Sequence, residues 1–152
     1  MRFITDALQS IAMTLWVGGL WAIGLIVTPL LFHALANRAE AGMLAGQLFA
    51  AVTYIGLGCG FFLLLFRLAR FGAQAFGQLF FWSVLLMMAL AAAAHFGVQP
   101  IMASLKQQAL PSEVMQSLFR DRFATWHGMS SALYLVECLL GLVLVIQHGR
   151  GR

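Results

Sequence analysis

Four long apolar stretches occupy most of this chain of 152 residues. They run from about Leu8 to Leu31, Leu48 to Phe66, Leu79 to Val98 and Ala124 to Ile146. Each is close to the roughly 20 residues that a helix needs to cross a bilayer. Helices are required there because lipid offers no partner to free backbone groups. Charged residues make up 9% of the sequence and hydrophobic residues 62%, whereas soluble domains carry about 25% charged residues. A soluble core cannot hide that much apolar surface, but lipid accepts it. The expected fold class is all-α: one four-span membrane domain over residues 1–152, an integral membrane four-helix bundle.

The first stretch starts near a basic residue, Arg2, and ends at Ala34-Leu35-Ala36, whose small residues resemble a signal cleavage site. Its apolar run far exceeds a signal core of about 7–15 residues, so it reads as a retained helix. Pro29 is expected to kink or stop it, and Pro100 to close the third helix. Asn37 to Gln47 reads as a short helical link, and Arg67 to Gln78 as a tight basic turn. Pro100 to Phe123 is the longest polar stretch, with Ser112 as a helix cap.

Four spans put both termini on one side. Lys and Arg number five on that side and four on the other. Together with the Arg67/Arg70 turn, this orients both termini to the cytoplasm, with a bacterial inner membrane as the expected location. The net charge of +4 is read as topology and headgroup contact, and no clustered basic face points to nucleic acid. Cys59 and Cys138 lie within apolar stretches and read as small packing residues. Glycines recur at Gly18-Gly19 and at Gly56 and Gly60, a GxxxG spacing. Small residues let membrane helices approach closely. These faces serve packing within the bundle or a homo-oligomer through Gly56/Gly60 or Gly18/Gly19.

Glu137 is the residue with most chemistry. It follows His127 by ten positions, roughly 15 Å along a helix, near mid-bilayer. A carboxyl at that depth has to be protonated, paired or water-facing. Trp16, Trp21 and Ser83 fall at like depth, and no Lys or Arg does. His127 and Ser130, in Trp126-His127-Gly128-Met129-Ser130, open the same helix. His127, Ser130, Glu137, Trp16 and Trp21 therefore form the candidate binding cavity. A second set lies toward one membrane face: His33, His95 and His127, from three helices, with Tyr54 nearby. Imidazoles suit copper or haem iron, but no HExxH or CxxC pattern accompanies them. His148 falls on the opposite face, beside the C-terminal arginines.

Several motifs carry a family resemblance: Trp16-Val-Gly-Gly-Leu-Trp21, Thr28-Pro29-Leu-Leu-Phe32, Ala39-Glu-Ala-Gly-Met-Leu-Ala-Gly46-Gln-Leu-Phe49, Gln99-Pro100-Ile-Met-Ala103 and Trp126-His-Gly-Met-Ser130. Together, from about Ala12 to Leu144, they resemble bacterial members of the transmembrane protein 205-like family. That resemblance implies a four-span helical membrane protein. It matches Pro100 to the proline ending helix three, and His127, Gly128 and Ser130 to the motif before helix four. Position 134, often an amide in related sequences, is Tyr134 here. Trp-x-Gly-Gly followed by proline in helix one is also similar to copper-resistance membrane proteins. The four-span size is similar to haem-binding membrane protoporphyrinogen oxidases, but the basic residue those carry inside the bundle is missing.

Three functions remain in play. The favoured one is non-catalytic handling of a small molecule, lipid or ion through the polar cavity, with no cofactor. The second is a haem- or copper-binding redox protein using His33, His95 and His127. The third is an assembly subunit of a membrane complex. Ser130 near His127 lacks a suitably placed acid, which argues against hydrolase chemistry.

Overall fold

A computed structural model describes residues 2–108 and 113–150, and among these every element is helical. The chain runs α1 (Arg2–Trp21), a π turn (Ala22–Val27), α2 (Thr28–Ala34), α3 (Arg38–Phe71), a 3-10 segment (Gly72–Gly77), α4 (Leu79–Ala92), a second π turn (Ala93–Val98), α5 (Gln99–Gln108) and α6 (Glu113–Arg150). Four segments are long and apolar enough to cross a membrane: Ile4–Ala34, Glu40–Gly77, Leu79–Leu105 and Ala124–Gly149. Large apolar side chains such as Leu15, Phe61, Leu86 and Leu139 remain exposed on all four. With water outside, that surface would be prohibitive; with lipid outside, it is the expected coat.

Helices adjacent in sequence pack side by side, and the last closes on the first: α1 against α3, α3 against α4, α4 against α6 and α6 against α1. The core runs along the axis through Met13, Trp16, Val17 and Leu20 of α1, Val52 and Leu63 of α3, Val84 and Met87 of α4, and Cys138 and Leu144 of α6. On α1 the buried positions recur at three and four residues, the stripe of a helix packed along one face.

Several sequence expectations need correction at the element ends. The link from Asn37 to Gln47 is not separate, since α3 begins at Arg38 and continues to Phe71. The Arg67–Gln78 turn is in fact the last turn of α3 followed by the 3-10 segment. Gly72, at φ +55°, supplies the left-handed residue that ends α3. Hydropathy marks where lipid stops, whereas good helix formers carry the helix beyond it. Ser112, expected as a cap, lies outside the described residues.

Neither proline ends its span. Proline lacks an N–H and clashes with the carbonyl four residues back. Here a π turn precedes each one at the same offset. Thr28, just before Pro29, donates its N–H to Ile23 O, and Gln99, just before Pro100, donates to Ala94 O. The extra residue in the turn moves the carbonyl away from the ring. The polypeptide therefore continues as helix to Ala34 and to Gln108.

Candidate functional site

Trp16 is wholly buried and sets the middle of the bundle. Its indole lies over Gly56, and a Cβ at Gly60 would come within 2.9 Å of its ring and 2.6 Å of Met88. The Gly56/Gly60 pair is thus occupied within the chain: glycine lets α3 close on the largest core side chain. Gly19 similarly accommodates Val52, while the space beside Gly18 is open.

Against this layer lies Glu137 of α6, 5% exposed. The side chain acting on its carboxyl is Trp16, through the indole N–H. The approach is looser than a hydrogen bond, because Glu137 Oε1 and Trp16 Nε1 both lack a protein partner. Among the described residues no basic side chain pairs with Glu137; the ion pair present is Arg70–Asp6. An unmet buried polar atom costs about 1–3 kcal/mol, and Glu137 and Trp16 each carry one. Ser83 is also buried, on α4.

Of the expected cavity residues, then, Trp16 and Glu137 meet. Trp21, 37% exposed, instead donates its indole N–H to the backbone O of Cys138 at 3.3 Å, tying α1 to α6 one residue past Glu137. Ser130 and His127 lie further along α6, half-buried and exposed respectively. Seven and ten residues separate them from Glu137, roughly 10 and 15 Å of helix. A concavity of about 260 Å³ opens elsewhere, between α1 and α3, and its lining is apolar: Leu8, Ile11, Leu15, Cys59 and Phe62 among others.

The histidine set behaves differently. His95 sits in the second π turn, 3.1 Å from the Tyr54 hydroxyl through Nε2, with the two rings edge-to-face at 5.0 Å. Its Nδ1 is buried without a partner. His33 and His127 are exposed on α2 and α6. Among the described residues, no three His, Cys, Asp or Glu side chains gather as a metal ion would require.

Two features escaped the sequence reading. Tyr134 fills the first π turn: its ring covers Gly24, its hydroxyl donates to Leu20 O, and it packs edge-to-face on Phe49 at 5.2 Å. The bare Gly24 just ahead of Thr28-Pro29 was the available signal. The second is a polar layer at the end of the bundle that holds both chain ends. Asp6 pairs with Arg70, Ser10 Oγ lies 3.1 Å from His148 Nε2, and Arg67 donates to Gln78 Oε1 at 2.9 Å.

The fold and these contacts define a small four-span helical membrane protein with a buried carboxyl, Glu137, inside the bundle. The chain belongs to a family described as "Domain of unknown function (DUF4149)", whose model matches residues 11–111. The match takes in Trp16, both π turns, Pro29 and Pro100, and stops short of α6. No curated protein and no solved structure matches the chain.

Proposed function

We propose that this protein handles a small molecule, lipid or ion without catalysis, and that Glu137 is its proton- or cation-linked group. The supporting observation is Glu137 beside Trp16: a carboxyl closed into a membrane bundle, with Oε1 unmet and, among the described residues, no basic partner. A polar group this costly at such depth is a functional-site hypothesis by default. The resemblance to the transmembrane protein 205-like family, a bacterial inner membrane location and cytoplasmic termini belong to the same reading. Orientation draws support from Arg67 and Arg70 near the end of α3. A homo-oligomer would use the open face at Gly18.

The test is reconstitution into liposomes loaded with a pH-sensitive dye, combined with an infrared titration of the carboxyl stretch. Wild type is expected to show a pH-dependent flux and a titrating buried carboxyl. Glu137→Gln should abolish both while the protein stays folded. A flux that ignores Glu137→Gln, or no buried carboxyl signal, would overturn the reading. If Glu137→Gln is silent while changes at Gly18 break a larger complex, the assembly role takes its place.

A further inference from the structure

The core stripe of each long helix changes character one turn before the terminal face. On α1 the buried run of Met13 and Trp16 is preceded by Gln9, 4% exposed. On α3, Leu63 is followed four residues later by Arg67, and on α6, Leu144 is followed three residues later by Gln147. Three ties hold these positions at one level: Asp6–Arg70 between α1 and α3, Ser10–His148 between α1 and α6, and Arg67–Gln78 at the entry to α4. Trp82, exposed on α4 with its N–H on Phe76 O at 2.8 Å, marks this level as the membrane interface.

Four polar atoms in this layer are buried without a protein partner: Gln9 Nε2, Arg67 Nε, and Gln147 Nε2 and Oε1. Arg67 is a cation with no carboxylate among the described residues, because Asp6 is taken by Arg70. Its guanidinium lies 4.0 Å from the centre of the Phe80 ring and is half-buried. Such groups call for an acceptor that the described residues do not provide. Three of the four are donors, and one of these carries full positive charge.

We propose that this layer is a binding site for a phosphate-type oxyanion, held by the Arg67 guanidinium and the amides of Gln9 and Gln147. Arginine presents a planar fork that matches an oxyanion's geometry, and the two amides add neutral donors from facing helices. The interfacial depth suits the phosphate of an anionic lipid headgroup as well as a soluble phosphate. The site is distinct from Glu137, which lies at mid-bundle.

The experiment uses the full chain in two forms. Delipidated protein in detergent is titrated with inorganic phosphate and followed by thermal unfolding. Protein in phosphatidylcholine nanodiscs, with or without phosphatidylglycerol, is analysed for retained lipid by native mass spectrometry. Stabilisation by inorganic phosphate assigns a soluble oxyanion; selective retention of phosphatidylglycerol without a phosphate effect assigns a headgroup. In either case Arg67→Gln should weaken binding at least about tenfold, Gln9→Leu should weaken it measurably, and Arg38→Gln, exposed at the opposite end of α3, should change it less than about twofold. Should Arg67→Gln fail to fold, Gln9→Leu and Gln147→Leu carry the test, since each replaces an unmet amide with an apolar group of similar shape. Binding of neither probe, equal losses in Arg67→Gln and Arg38→Gln, or unchanged affinity in both leucine variants would overturn the proposal.

Discussion

The two π turns are the same backbone device put to opposite uses. Each spans six residues, each precedes a residue and then a proline, and each contains a glycine. In the first, Gly24 is roofed by the Tyr134 ring and a carbonyl of the preceding turn is met by the Tyr134 hydroxyl. In the second, nothing lies within 4 Å of where a Gly97 side chain would start, and the polar side chain present, His95, reaches out to Tyr54. A π turn leaves a wide, imperfectly bonded stretch of helix. Where a neighbouring helix lays a side chain over the glycine, the turn is closed at that point. At Gly97 it stays open, although Val98 of the same turn is buried.

The largest expected effect that tests this contrast comes from the glycines. Gly24→Ala places a methyl inside the Tyr134 ring and should cost about 1–3 kcal/mol, less what alanine returns in helix propensity. Gly97→Ala meets no neighbour and should be neutral or stabilising by up to about 1 kcal/mol. Thermal unfolding of both variants in one detergent would read the difference, and equal effects would break the comparison. Next comes Tyr134→Phe, which keeps the ring over Gly24 but removes the donor to Leu20 O. A loss of about 0.5–1.5 kcal/mol is expected, measured by the same unfolding assay. Smallest is Tyr54→Phe, which breaks an exposed pairing with His95; a change below about 0.5 kcal/mol is expected. Hydrogen exchange across Ala93–Val98 would sharpen the last point, since the second turn should exchange faster than Ala22–Val27 in wild type.

Glu137 and the terminal layer form a second contrast in the same molecule. Glu137 stood out in the sequence because a carboxyl alone in an apolar stretch is conspicuous. Gln9, Arg67 and Gln147 did not, because each lies near the end of a stretch where polar residues are ordinary. What sets them apart is that they continue the core stripes of three helices, which shows only once the faces are known. In the same way, Gly56 and Gly60 announced close approach, but their partner turned out to be Trp16 of the same chain.

By itself, the sequence determined the class of fold and the number of spans. Both follow from the cost of exposing apolar residues to water and backbone groups to lipid, which composition and run length record directly. It also singled out Glu137 and offered Trp16, Trp21 and Ser83 at a like depth, because depth along a span is close to linear in residue number. The tertiary structure decided the rest: that Pro29 and Pro100 are absorbed rather than terminal, that Tyr134 completes the first π turn, that His33, His95 and His127 form no common cluster among the described residues, and that a polar layer closes the end where α1 begins and α6 ends. Each of these depends on the rotation of one helix against another. That rotation is set by side-chain packing between distant segments, which no local pattern encodes.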